Sequence, residues 1–233
     1  MTRPQHLALF DLDHTLLPLD SDYQWADYLA RTGRAGDPAQ AIRRNDALME
    51  RYKAGALSAE EAAQFMLGLL TRTTPAELAA WHEQFMAEVV RPAIKASALE
   101  LVQRHLARGD LCAIVTATNE FVTAPIARAF GLSHLIATVP EQALGRYTGR
   151  IHGIASFQEG KVTRVNQWLA GLGLALNEFE SSWFYSDSHN DLPLLQAVTH
   201  PVATNPSAAL RQHAETQGWL ILDLFKDMQD AKS

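Results

Sequence analysis

The stretch Leu7-Ala8-Leu9-Phe10-Asp11-Leu12-Asp13-His14-Thr15-Leu16 decides the fold. Four apolar residues run without alternation straight into two carboxylates spaced two apart. A strand that is apolar on both faces belongs in the middle of a parallel sheet, covered from both sides. Ligands of open α/β sheets bind beyond the carboxyl ends of the strands, where Asp11 and Asp13 stand. An Asp-x-Asp pair alone is also compatible with a turn whose acids cap a following helix.

Working outward, further short apolar runs read as strands: Leu111 to Val115, Trp183-Phe184-Tyr185 and, more weakly, Pro201-Val202-Ala203 and Leu220-Ile221-Leu222. Helical patterns over Ala93 to Arg108, Glu120 to Phe130, Lys161 to Leu172, Leu192 to Ala197 and Ser207 to Thr216 separate them. Alternation of this kind predicts an α/β fold with a Rossmann-like parallel sheet core. Between Ser21 and Val90 the alternation stops, and apolar residues recur at helical spacing, as in Trp25 and Leu29 or Phe65, Met66, Leu69 and Leu70. Ser58 before Glu61 reads as a capping box, and Thr74-Pro75 before Glu77 as a helix start. Residues 21–91 are therefore expected to form an inserted all-helical cap domain, its aromatics packing as its own core. Residues 1–20 and 92–233 are expected to form the catalytic core, with Pro92 at the return. Gly145 to Ile151 reads as a short hairpin.

Three more strings carry chemistry. After Trp183-Phe184-Tyr185, the chain runs into Ser186-Asp187-Ser188-His189-Asn190-Asp191. If both strand ends meet in one crevice, their carboxylates repel one another, and a bound hard cation such as Mg²⁺ relieves this. Helix capping by Asp187 or Asn190 is the plainer alternative. Thr116 follows a strand and precedes a helix, where a hydroxyl and backbone N–H groups can hold phosphate. Lys161 opens a helix, the wrong end for a cation in the helix dipole, which is compatible with its holding an anion; a solvated lysine is the plainer alternative.

In order and placement, Asp11-Leu12-Asp13-His14-Thr15, Thr116, Lys161, Asp187 and Asp191 resemble the haloacid dehalogenase superfamily of phosphotransferring hydrolases. The helical insertion is similar to that of its phosphoserine-phosphatase branch. The run from Asp11 to Trp25, Asp-x-Asp-x-Thr-Leu-Leu-x-x-Asp-Ser-Asp-x-x-Trp, resembles bacterial members that include histidinol-phosphate phosphatases. The resemblance spans Leu7 to about Leu222. It implies a Mg²⁺-dependent phosphomonoesterase acting on a small phosphorylated metabolite, with Asp11 as nucleophile and Asp13 as general acid and base. It implies metal ligands in Asp11, Asp187 and the Asp13 carbonyl, with Asp191 orienting a metal-bound water or Lys161. Thr116, Lys161 and Asn190 would hold the phosphoryl group. Asp20 matches the residue that holds the substrate amine in phosphoserine phosphatases. Gln64 falls where a cap arginine holds the substrate carboxylate; Arg51 and Arg72 do not fit that register. A substrate with an amine and no carboxylate, such as histidinol phosphate, is expected. His14 occupies a variable position, with a solvent-facing or packing role. A phosphoserine phosphatase, a phosphotransferase passing the group to another acceptor, and a receiver-like phospho-aspartate signalling module are the competing readings.

Composition narrows the partners. The net charge is −6, and no run of lysine and arginine marks a nucleic-acid footprint. No apolar run approaches the length of a membrane span, and no signal sequence is evident, so a cytoplasmic protein is expected. The single cysteine, Cys112, lies in an apolar run and reads as a small buried hydrophobe.

Overall fold

The computed structural model describes residues 4–53, 56 and 59–225. Strand β1 (His6–Phe10) lies at the centre of a seven-stranded sheet. With β2 (Leu111–Asn119), β3 (His134–Ala143), β4 (Arg146–His152), β5 (Ser181–Ser186), β6 (His200–Thr204) and β7 (Leu220–Leu222), the order is β4-β3-β2-β1-β5-β6-β7. The alternating side chains of β1 explain its place: Ala8 and Phe10 enter one apolar cluster, Leu7 and Leu9 the other. Both faces are buried, as a central parallel strand requires. Phe10 pairs with Ile114 on one side and Tyr185 on the other, in parallel register. The chain moves away from β1 toward β3 in one direction and toward β7 in the other. The ends of β1, β2 and β5 therefore flank the point where strand order reverses, which opens a crevice there.

The parallel core expected from the sequence is present, and one edge strand adds to it: β4 runs antiparallel to β3. The turn between them places Leu144 and Gly145 at φ 51° and 72°, both left-handed, which suits the twist of a two-residue hairpin. Strand β3 is not among the strands read from the sequence, and the stretch read as a short hairpin, Gly145 to Ile151, is one turn residue and β4, with β3 as the other arm; Pro140 is tolerated where the β3–β4 register shifts, between Pro140 and Gln142. Strand β2 also continues past Val115 to Asn119, with a register irregularity against β3 over the same interval.

Between β1 and β2 every described element is helical: α1 (Ser21–Arg31), α2 (Pro38–Lys53), α3 (Ala59–Leu70), α4 (Pro75–Phe85), a π-helical turn (Met86–Val90), α5 (Arg91–Ala93) and α6 (Ala96–Ala107). Thr74 and Glu77 form a reciprocal capping box at α4. The capping box expected at Ser58 lies outside the described residues. Asp20 caps α1, its carboxylate accepting from Tyr23 N at 2.8 Å. Trp25 and Tyr28 of α1 pack with Phe85 of α4. The same aromatics reach Phe121 of α7 (Glu120–Ala129), and His82 Nε2 lies 2.9 Å from the Val122 carbonyl. The helical segment and the sheet layer thus share one continuous apolar cluster.

The remaining helices are α8 (Glu159–Gly171), α9 (Leu192–Ala197) and α10 (Ala208–Gln217). Cys112 is buried, and burial pushes its thiol up to about 12. No described helix is long and apolar enough to cross a membrane.

Candidate active site

The end of β1 delivers Asp11, and its backbone N–H donates to the Tyr185 carbonyl at 2.9 Å, tying it to the end of β5. Lys161, in the first turn of α8, reaches across beneath the crevice. Its Nζ donates to Asp11 Oδ1 at 2.8 Å and to Asp191 Oδ2 at 2.7 Å. Lys161 and Asp191 are each 3% exposed and Asp11 is 6% exposed, so this is a buried carboxylate–ammonium–carboxylate bridge. Burial disfavours the ammonium, but Asp11 and Asp191 outweigh it and hold the lysine above its ordinary pKa. An ammonium has three donors, and this bridge uses two.

Asp187, at the end of β5, faces Asp11 across Thr15. The Thr15 hydroxyl oxygen is 3.1 Å from Asp11 Oδ2 and 3.3 Å from Asp187 Oδ1, and it accepts from Asp187 N at 2.9 Å. One hydroxyl proton can serve only one of these carboxylates at a time. Burial and the charges of Asp11 and Asp191 push the Asp187 carboxyl up to about 8. Burial likewise pushes Asp11 up to about 6, against the pull of Lys161. Among the described residues no group of three or more His, Cys, Asp and Glu side chains could by itself cage a metal ion. Asp11 Oδ2 and Asp187 Oδ1, which share one hydroxyl proton on the side away from Lys161, nevertheless fit a hard divalent cation completed by carbonyl and water oxygens.

Asp13 points elsewhere. Its Oδ1 accepts from Ser21 N at 2.8 Å and its Oδ2 from Thr118 Oγ1 at 2.7 Å. Burial, reinforced by Asp20, pushes its carboxyl up to about 6. The two acids of the Asp-x-Asp string thus have separate settings, one bonded to an ammonium and one to neutral donors. Between them Thr116 is buried, its Oγ1 accepting from Thr118 N at 3.2 Å, which leaves its hydroxyl proton available to an anion.

A cleft of about 930 Å³ opens over this floor and brings together every residue singled out from the sequence: Asp11, Asp13, Asp20, Gln64, Thr116, Lys161, Asp187, Asn190 and Asp191. Asn190 is exposed at the rim, in a short 3₁₀ turn (His189–Asp191), and Gln64 lines the wall from α3. His14 is exposed in a left-handed turn, φ 60°. A second cleft of similar size, about 990 Å³, between α4, α7 and the β3–β4 hairpin, contains none of these residues.

Several site residues carried no role in the sequence reading. Thr15 and Thr118 position carboxylates, and the Ser186 hydroxyl donates to Asp191 Oδ2 at 2.6 Å. Asn205 clamps the loop after β1, its amide donating to the carbonyls of His14 and Thr15. Asp22 lines the cleft and accepts from Asn119 Nδ2 at 2.9 Å, and burial with the charges of Asp20 and Asp13 pushes its carboxyl well above the usual range. Arg150, on the hairpin, also lines the cleft; its Nε and Nη2 bind Glu141 at 2.9 and 2.8 Å. Arg51 and Arg72 are not among the lining residues; they bond the carbonyls of Ala56 and Ala35.

Comparison with known proteins agrees with this geometry. A histidinol-phosphatase from Neisseria meningitidis serogroup C (strain 8013) is 42% identical over 220 residues, covering 94% of this chain and 99% of that protein. A crystal structure of a protein of unknown function from Bordetella pertussis Tohama I is 69% identical, with a TM-score of 0.94 over 96% of this chain and 100% of that one. A substrate-bound phosphoserine phosphatase shares the fold at 17% identity, with a TM-score of 0.66 over 95% of this chain and 94% of that one. The family model for haloacid dehalogenase-like hydrolases matches residues 8–196, a stretch that holds all the carboxylates of the cleft floor together with Lys161, and the chain belongs to that family.

Proposed function

We propose that this chain is a phosphatase that hydrolyses a small phosphomonoester through an aspartyl-phosphate on Asp11. The observation that carries the reading is the divided setting of Asp11 and Asp13 on one strand end. Lys161 engages Asp11 Oδ1 and favours the ionised carboxylate, leaving Oδ2 to attack phosphorus. The bond from phosphorus to the alcohol oxygen breaks as Asp13 gives that oxygen a proton. A carboxyl raised to about 6 and held by neutral donors is suited to carrying that proton near neutral pH. Asp13 then takes a proton from water, whose oxygen attacks phosphorus and frees Asp11 with release of inorganic phosphate. The Thr116 hydroxyl and the third Lys161 N–H are the donors proposed for the phosphoryl oxygens, with Asn190 adding one from the rim.

Magnesium, which phosphatases of this family generally use, would be held by Asp11, Asp187 and the Asp13 carbonyl, and would supply the positive charge that lets a phosphate dianion approach Asp11. Asp191 keeps Lys161 in place. The domain division is part of the same reading: residues 21–91 as a cap over a core of residues 1–20 and 92–233.

On the side of the leaving alcohol, this reading puts Asp20 at the substrate amine and Gln64 where phosphoserine would need a cation for its carboxylate. Among the described residues the one arginine lining the cleft, Arg150, is already paired with Glu141. Glutamine cannot form the bidentate fork that an arginine makes with a carboxylate. The similarity to a histidinol-phosphatase points the same way, and the substrate proposed is histidinol phosphate, which carries an amine and no carboxylate. Phosphate release measured side by side tests this. kcat/KM is expected to be higher for histidinol phosphate than for phosphoserine, by a gap of roughly 2–5 kcal/mol for one missing desolvated charge pairing. A preference for phosphoserine overturns the assignment.

A further inference from the structure

We infer that Asp22 is the specificity-determining carboxylate of this cleft, the group that meets the positive charge on the substrate's alcohol portion. The inference rests on the phosphatase reading above and assigns that task to a different residue from Asp20, the one the sequence offered.

Asp20 is already engaged. Its Oδ1 accepts from Tyr23 N at 2.8 Å and caps α1, which gives this carboxylate a structural task of its own. Asp22, two residues on, is held from the opposite side of the cleft by the core. Asn119 ends β2, and its Oδ1 accepts from Val122 N at 3.2 Å as the cap of α7. That bond fixes the amide, so Nδ2 must face Asp22, which it meets at 2.9 Å. The preceding residue, Thr118, gives its only hydroxyl proton to Asp13. Consecutive residues at one strand end therefore set the acid that protonates the leaving oxygen and, beside it, the carboxylate of Asp22.

An acid in the first turn of a helix is ordinarily there for the helix dipole. Asp22 differs in facing a cleft beside Asp13 and Asp20 with no cation among the described residues to offset the three. Among the described residues none of them forms an ion pair; Lys161 serves Asp11 and Asp191, and Arg150 serves Glu141. Bringing like carboxylates together without a counter-charge is unfavourable, and an incoming cation reverses that. The wall opposite, Leu48, Met49, Ala62 and Met66, is apolar and suits the carbon body of a small organic cation. The ligand class is a phosphomonoester whose alcohol bears an ammonium or imidazolium group close to the ester oxygen.

The test uses the full chain with Mg²⁺ and compares kcat/KM for histidinol phosphate with that for propyl phosphate, an uncharged alkyl ester. The parent enzyme should favour the cationic ester. Asp22→Asn should lower that selectivity ratio by about 30-fold or more, since a charged pairing is replaced by a neutral contact. Asp22→Glu should restore part of it, which a purely structural role would not require. The Asn change removes repulsion with Asp13 and Asp20, so the variant should melt no lower than the parent. A parent enzyme without cationic preference would sink the substrate reading itself. A parent preference that survives Asp22→Asn, or an equal loss on both esters, overturns the assignment of Asp22 alone.

Discussion

Gly160→Ala sets two magnitudes against each other. Gly160 lies in the first turn of α8, next to Lys161, with no left-handed φ that would demand glycine. Helix propensity alone favours alanine by about 1 kcal/mol. A Cβ built at Gly160, however, would stand 2.1 Å from the Ala155 carbonyl oxygen and 3.3 Å from its carbon. Relieving that contact needs a backbone shift of about 1 Å, because neither partner is a flexible side chain, and overpacking of this kind costs about 1–3 kcal/mol. The steric term therefore wins. Either α8 moves and carries Lys161 away from bonds of 2.8 and 2.7 Å to Asp11 and Asp191, or the loop carrying Ile154 and Ala155 moves and deforms the cleft wall. A misplacement of about 1 Å at a reacting centre costs on the order of 10²-fold. Movement of α8 should appear in kcat, and movement of the wall in KM. The assay is steady-state phosphate release with a parallel thermal melt. A variant that melts higher than the parent with unchanged kcat/KM would refute the reasoning, because it would mean that the Ala155 carbonyl yields without cost.

Asp11→Asn should abolish turnover while the fold persists, since an amide cannot form the acyl phosphate; hydrolysis within tenfold of the parent would count against the covalent route. Asp13→Asn should cost roughly 10²–10⁴-fold on alkyl phosphates and less on aryl phosphates, whose leaving groups scarcely need a proton; an equal loss on both would remove Asp13 as the acid. Asp187 has a folded pKa raised to about 8, above its unfolded value, so the metal-free fold holds this proton and loses stability as pH rises from about 4 through 8. A cation needs the ionised carboxylate, so Mg²⁺ should bind more tightly and raise Tm more at pH 8 than at pH 6; a hundredfold excess over Kd stabilises the fold by about 2.7 kcal/mol. Identical Mg²⁺-induced shifts at the two pH values would contradict the proposed ligand.

The parts legible in the sequence are those whose signals are local. Strand β1 announces itself because both its faces are buried, and its acids because a strand end is an unusual place for two carboxylates. Lys161 stood out as a cation at the unfavourable end of a helix, and the structure supplies the compensation: two buried carboxylates on its Nζ. Thr116 and Asn190 apart, the hydroxyls and amides around the acids are not legible, because Thr, Ser and Asn at strand ends and helix starts look alike whatever they hold. Thr118 reaches an acid 105 residues away and Asn119 one 97 residues away, so only chain closure reveals either partner.

The same holds for the walls that choose the substrate. The wall opposite the acids is made where α3, carrying Gln64, docks on β4, carrying Arg150. That docking depends on Gly149, at φ 82°, where a Cβ would press to 3.2 Å from Thr71 Cγ2 and to 3.8 Å from Gly68 Cα. Small residues on both partners let a helix and a hairpin tens of residues apart approach this closely. The placement of Gln64 and Arg150 along that wall is thus set by backbone contact elsewhere in the interface, and no spacing within either segment encodes it. A residue such as Asp22 escapes the same blindness only in part: its place after the first motif is readable, but its partner is not. The proposed specificity therefore lies in a pairing of segments, while the proposed chemistry lies in short strings that each strand end carries alone.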